Sequence, residues 1–215
     1  MPRVAKKAEV RRDEIMDAAG RLFVVKGYAA TTINDLLDEV GVARGTLYHH
    51  FKSKEEVLDG LIGRQGDRLL AAVEAVVASD VPALPKLAAC VAALGPHDAD
   101  QAALIDELSG AGDSAMFQKS LNDMVIRLAP VIAKIVAQGV SEGVFHTPDP
   151  LISIRFLLAA AHALLDNPAL AWSAKERDEL RVGFVDAAER VLGAQPGSLA
   201  FMMAETPNKI EKDTP

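Results

Sequence analysis

The stretch TTINDLLDEVGVARGTLYHHFKSKEEV, residues 31–57, decides how this chain is read. Thr31 and Thr32 offer hydroxyl caps to a short helix whose buried face is Ile33, Leu36, Leu37 and Val40, with Asn34 and Asp35 near its positive end. Gly41 breaks that helix, Val42 follows, and a further helix runs from about Ala43 to Phe51. Upstream, Ile15, Ala18, Ala19, Leu22 and Phe23 recur at helical spacing and stop at Lys26-Gly27, a cation followed by a left-handed cap. Downstream, Ser53-Lys54-Glu55-Glu56 has the capping-box pattern and opens a long helix. Two short helices joined by a tight glycine turn, the second rich in small and hydrogen-bonding residues, predict a helix-turn-helix.

A helix that enters the major groove must come close to the base edges. Ala43, Gly45 and Thr46 keep its leading edge small, and Arg44 has the reach for a guanine edge or a phosphate. Tyr48, His49 and His50 carry donors for phosphate oxygens, while Lys52 and Lys54 flank the helix end where the DNA backbone would pass. The free N–H groups at Ser53 also suit a phosphate. Leu47 and Phe51 point back and lock the helix onto Leu22, Phe23, Ile33 and Leu37. His49 and His50 do not read as a metal pair, because adjacent helical residues diverge by about 100°.

The net charge of −7 argues against a nucleic-acid partner until its distribution is considered. Residues 1–54 carry ten Lys/Arg against seven Asp/Glu, whereas residues 55–215 carry thirteen against twenty-three. A basic end on an acidic body is expected where only one end meets phosphate.

Beyond residue 57 the pattern stays helical, with helices expected at roughly 82–94, 98–109, 114–141, 149–165 and 174–193. Asp149-Pro150 and Ser173-Ala174-Lys175-Glu176 are start signals, and Pro130 falls inside the third of these helices. No period-2 run reads as a strand, so the expected class is all-α. The longest near-apolar run, residues 156–165, is half the roughly 20 residues a bilayer span needs, and no signal region precedes the first helix. The single cysteine, Cys90, excludes an internal disulfide and suits a reducing, cytoplasmic setting. No phosphate-binding glycine loop, nucleophile elbow or catalytic carboxylate pair is present, so neither an enzyme nor a bound cofactor or metal is expected. His97-Asp98-Ala99-Asp100 reads as a solvated loop with a helix cap, and His162 as a hydrogen-bonded interface residue.

FVVKGY (23–28), TTI (31–33), the glycine-valine turn (41–42), GTLYHHF (45–51) and KSKEEVL (52–58) follow one another in a spacing that resembles the tetracycline-repressor (TetR) family of bacterial regulators. The resemblance covers about the first 60 residues. It implies a three-helix DNA-binding domain, a C-terminal domain with a ligand cavity, and a homodimer formed by the last two long helices. It also implies repression relieved by a small molecule. Carried over by position, Thr32, Arg44, Gly45, Thr46, Tyr48, His49, His50 and Lys54 fall where the family contacts DNA. Two departures stand out. Ala43 replaces the family's frequent hydroxyl cap, and Asp38 and Glu39 place carboxylates near the DNA side.

With the resemblance, the chain divides into a basic arm and helix-turn-helix (1–54), a helical effector-binding and dimerisation domain (55–194), and a weakly ordered tail (195–215). A cavity between the middle helices would be lined by Leu61, Leu87, Cys90, Leu94, Leu104, Leu108, Phe117, Leu121, Met124 and Leu128, which suits a hydrophobic or amphipathic effector. Residues 151–165 are apolar almost all round and must be covered on every face. The dimer interface is therefore expected at Leu151, Ile154, Leu158, His162, Leu165, Leu180, Phe184, Ala188 and Val191. A two-fold dimer with recognition helices about 35 Å apart, one DNA turn, would bind a palindrome.

Overall fold

A computed structural model describes residues 2–95, 99–110, 115–165 and 170–203, with side chains described over 8–95, 100–105, 107, 122–165 and 170–203. The elements are α1 (Pro2–Lys26), α2 (Ile33–Val40), α3 (Arg44–His50), α4 (Lys54–Val77), α5 (Ala83–Leu94), α6 (Ala99–Gly110), α7 (Ala115–Ser141), α8 (Pro150–Ala160) and α9 (Ala174–Leu192). A single wider π turn, Ala161–Leu165, continues α8, and a 3-10 turn, Ala200–Met203, follows α9. Among the described residues there is no strand, as the periodicity predicts. The start signals act as read: Asp149 accepts the N–H of Ile152 ahead of Pro150, and Ser173 and Glu176 form a reciprocal capping box. His97, Asp98 and the break at 166–168 lie outside the described residues.

The chain forms two compact units, and their division differs from the boundary at residue 54. One unit holds Met1–Asp67 with Asp98–Leu121; the other holds Arg68–His97 with Asn122–Pro215. The reason is burial. Val57, Leu58 and Leu61 of α4 lie in one cluster with Ile15, Phe23, Leu36, Leu47 and Phe51, and Leu104 of α6 packs against it. A cut at 54 would strip side chains that are fully enclosed.

In the second unit the core gathers Val73, Leu87, Cys90, Leu128, Ile135, Val136, Phe145, Ile154 and Leu192. Leu199 belongs to it too, fully buried, with Phe201 and Met202 packed alongside. The tail expected from residue 195 is thus folded through Met203. Gly193 closes α9 at φ +61, and the Glu189 carboxylate accepts the N–H of Leu199. Composition suggested looseness; three apolar side chains and one buried carboxylate overrule it.

A buried cation organises the α4–α5 turn. The Lys86 ammonium donates to the Val77 carbonyl at 3.1 Å and to Gln138 at 2.8 Å, while Gln138 donates to the Val81 carbonyl and to Glu142. Glu142 in turn accepts the N–H of Ala83 at 2.8 Å, capping α5 where Pro82 has no side chain to do so. Residues 122–141 of α7 are long and apolar enough to cross a membrane by length and composition. Leu128, Ala129, Ile132, Ile135 and Val136 are buried within the unit, the pattern of a core helix.

A methyl group added at Gly139 would overlap the Phe145 ring and come within 3.1 Å of Ala83. At Gly63, in the middle of α4, it would meet nothing within 4 Å. Gly139→Ala is expected to cost about 1–3 kcal/mol by overpacking, whereas Gly63→Ala should gain up to about 1 kcal/mol from helix propensity. Urea denaturation of the two variants checks the contrast.

Candidate nucleic-acid interface

Helix α3 is held from behind. Leu47 and Phe51 are fully buried among Ile15, Met16, Phe23, Leu36 and Val57. The guanidinium of Arg12 lies over the Phe51 ring at 4.8 Å. Gly41 takes φ +69, so the chain reverses in one residue between α2 and α3 while its N–H still closes onto the Leu37 carbonyl. Ala43 makes no side-chain cap, as its residue type dictates, and α3 starts on backbone bonds alone.

This arrangement leaves Ala43, Arg44, Gly45, Tyr48, His49 and Lys52 exposed, with Thr46 and His50 half-buried. Arg44 reaches back to the Asn34 side chain at 3.4 Å and lies 5.9 Å from the Tyr48 ring. Gly45 has nothing within 4 Å of where a Cβ would stand, and its φ is not in the left-handed region. Neither backbone geometry nor internal packing requires a glycine there. His50 is held below the usual histidine value by burial, then by His49, Arg12 and Arg11.

The nearby carboxylates are largely answered. Asp35 meets the Lys26 ammonium at 2.6 Å, and Glu39 meets Arg21 at 3.1 Å. Asp38 is exposed, as expected. Thr32 caps α2 in a full capping box with Asp35, while Thr31 is buried and donates to the Gly27 carbonyl at 2.7 Å. Thr32 therefore has a structural task besides any contact with DNA.

Lys54, expected beside the DNA backbone, is also engaged within the chain. Its ammonium donates to the carbonyls of Tyr28 at 2.7 Å, Ala29 at 3.4 Å and Thr31 at 2.9 Å, and lies 4.3 Å from the Tyr28 ring. The Tyr28 hydroxyl is pushed up to about 12, by burial first and then by Glu55. No local sequence signal marks those carbonyls as partners, 23 to 26 residues away.

The residues read as a cavity lining part company. Leu61 and Leu104 pack in the helix-turn-helix core, whereas Leu87, Cys90 and Leu128 are buried in the second unit with Leu94 and Met124 against them. The side chains of Leu108, Phe117 and Leu121 lie outside the described residues. Burial in the core of the second unit pushes the Cys90 thiol up to about 11, which disfavours the thiolate. Among the described residues, no three His, Cys, Asp or Glu side chains gather as metal ligands would.

Of the expected interface residues, Ile154 and Ala188 are buried in the chain's own core. Leu151, Leu158, His162, Leu165, Leu180 and Phe184 are half-buried, and Val191 is exposed. Phe156 (68% exposed) and Val182 (54% exposed), neither in the expected set, present the largest apolar surfaces on α8 and α9. A groove of about 430 Å³ runs between the π turn and α9, lined by Leu164, Leu165, Trp172, Leu180 and Phe184, with Glu176 and Glu179 at its rim.

Comparison with known proteins gives two family matches. The model described as "Bacterial regulatory proteins, tetR family" matches residues 15–61, and "Tetracyclin repressor-like, C-terminal domain" matches residues 99–186. The HTH-type transcriptional repressor KstR2 of Mycobacterium tuberculosis is 33% identical over 153 residues, 69% of this chain and 76% of that protein. KstR2 of Rhodococcus jostii is 31% identical over 152 residues, 68% and 74% of the two chains. Among solved structures, PfmR, a TetR-family regulator from Thermus thermophilus, aligns over 85% of this chain and 96% of its own with a TM-score of 0.54 at 25% identity. SmeT, the repressor of a Stenotrophomonas maltophilia multidrug efflux pump, shares the fold over 93% of this chain and 96% of its own, with a TM-score of 0.61 at 22% identity.

The capping box carries a pH signature. Asp35 is lowered from 3.8 to about 2 by the Lys26 hydrogen bond first and then by those from Thr32. A carboxylate with a depressed folded value stabilises above its unfolded value and loses that effect as pH falls through the folded one. Stability should therefore fall between about pH 4 and pH 2 with a component that Asp35→Asn abolishes. Thr32→Ala should cost about 1 kcal/mol at neutral pH. Acid and urea titrations followed by circular dichroism read both.

Proposed function

The chain belongs to the tetR family of bacterial regulatory proteins and is a DNA-binding transcriptional regulator rather than an enzyme; from that premise we propose that it is a cytoplasmic homodimeric repressor, released from a palindromic operator by a small hydrophobic or amphipathic effector. The observation that carries the DNA contact is Gly45. A helical glycine on an exposed face costs about 1 kcal/mol relative to alanine, and this one has no conformational or packing duty. Its smallness is of use to something outside the chain. Arg44, Tyr48, His49 and Lys52 beside it supply the donors a DNA backbone and base edge need, with Ala43, Thr46, His50 and Thr32 at the margin.

Repression agrees with the KstR2 relatives, which are HTH-type transcriptional repressors. The effector reading draws on the aliphatic, methionine-bearing side chains Leu87, Leu94, Met124 and Leu128 in the unit beyond the helix-turn-helix. Such a ligand releases DNA only if it binds the DNA-free form better. For the dimer, exposed Phe156 and Val182 and the groove along α9 form an apolar face of the kind a two-fold partner covers.

Fluorescence anisotropy with a fragment of the DNA upstream of the protein's own coding region tests the DNA reading. Binding should weaken steeply as salt rises, and Gly45→Ala should bind less tightly while being more stable by up to about 1 kcal/mol. An absence of salt-sensitive affinity would falsify the reading. For the dimer, Phe156→Glu combined with Val182→Glu should convert a two-protomer mass to one in sedimentation equilibrium. An unchanged mass would place the interface elsewhere.

A further inference from the structure

The turn joining α1 to α2 has its backbone held by charged side chains from two other helices. Gly27 ends α1 at φ +85, and the N–H of the next residue, Tyr28, donates to the Glu107 carboxylate of α6. On the other side, the Lys54 ammonium of α4 takes the carbonyls of Tyr28, Ala29 and Thr31. Immediately after the turn comes Thr32, the cap of α2, whose hydroxyl and backbone N–H are both tied to Asp35. The position of the turn is therefore passed directly to the first turn of α2. From there it reaches α3 through the single-residue reversal at Gly41.

Glu107 is brought to this turn by the seating of α6 on α1. A Cβ at Gly20 would stand 3.8 Å from Leu104, and one at Gly27 would stand 3.7 Å from the Glu107 carboxylate oxygen. Gly20 and Gly27 are about two helical turns apart, and Leu104 and Glu107 about one, so each pair shares a face of its helix. In sequence Glu107 lies in the stretch matched by the C-terminal family model, 99–186, outside the helix-turn-helix match at 15–61. In space it belongs to the unit that contains the helix-turn-helix.

We propose that Glu107 is a positioning residue for DNA binding: its carboxylate anchors the α1–α2 turn and thereby sets how α2 presents α3 to DNA. The proposal rests on α3 being the DNA-reading helix. It carries a sign that separates it from simple electrostatics. Removing a negative charge from a DNA-binding unit strengthens binding if charge alone acts. Removing this anchor weakens it.

The test uses full-length protein carrying Glu107→Ala or Glu107→Gln, with affinity for the upstream DNA fragment measured across a salt series and amide exchange followed at Tyr28. Glu107→Ala should lose about tenfold in affinity with the salt slope unchanged, because an anchoring hydrogen bond and no phosphate contact is lost. Glu107→Gln keeps a carbonyl acceptor and should recover to within about threefold of the parent. Exchange at Tyr28 should accelerate in the alanine variant and much less in the glutamine variant. A merely structural role would lower the melting temperature and leave the affinity of the folded protein unmoved. Equal or tighter binding by Glu107→Ala overturns the proposal, as does an affinity loss with Tyr28 exchange unchanged. If the alanine variant does not fold, the glutamine variant decides through the same two readings. A parent that binds no DNA removes the DNA-reading premise itself, an outcome distinct from a normal parent with an unaffected variant.

Discussion

A seven-residue helix has too few internal hydrogen bonds to persist by itself, so α3 depends on what lies behind it. Leu47 and Phe51 are enclosed at zero exposure, and the helices that enclose them include the start of α4. The outward side chains inherit their positions from that burial. The same constraint explains why the helix-turn-helix unit extends past residue 54: the cavity that receives Phe51 is walled by Val57, Leu58 and Leu61. Site and core are one piece of packing seen from opposite sides.

Charge is arranged by the same helices. Surface ion pairs such as Lys26–Asp35 and Arg21–Glu39 contribute little stability. They still answer the carboxylates of α2 locally, so Arg44 and Lys52 act on a field less diluted by nearby negative charge. The net charge of −7 combines ten Lys/Arg against seven Asp/Glu over residues 1–54 with thirteen against twenty-three over residues 55–215.

Much of this was legible because helix starts, stops and apolar stripes are local. Thr32, Gly41, Asp149 and Ser173 each act where their residue type and spacing placed them. What escaped was set by contacts far along the chain. The hydrogen bonds of Lys54 to Tyr28 and Thr31 exist only once those residues are folded against it, and Leu104 reads as cavity wall until α6 seats on α1. Polar composition after residue 195 hid the burial of Leu199, since the apolar run at residues 199–203 is too short to show a period. Ile154 lies on a helix apolar almost all round, a pattern that does not say which face the protomer keeps for itself.

The exposed apolar face of α8 and α9 has a bearing on the life of the chain before it meets DNA. Under the proposed dimer, Phe156 and Val182 stay open to solvent on each new protomer until another copy covers them. Pairing of that kind follows mass action, so the number of dimers able to grip both halves of a two-fold site would rise with the square of protomer supply while copies are scarce. Occupancy of such a site would climb more sharply than synthesis itself. The shape of a regulatory response would then originate partly in two hydrophobic side chains outside the helix-turn-helix unit.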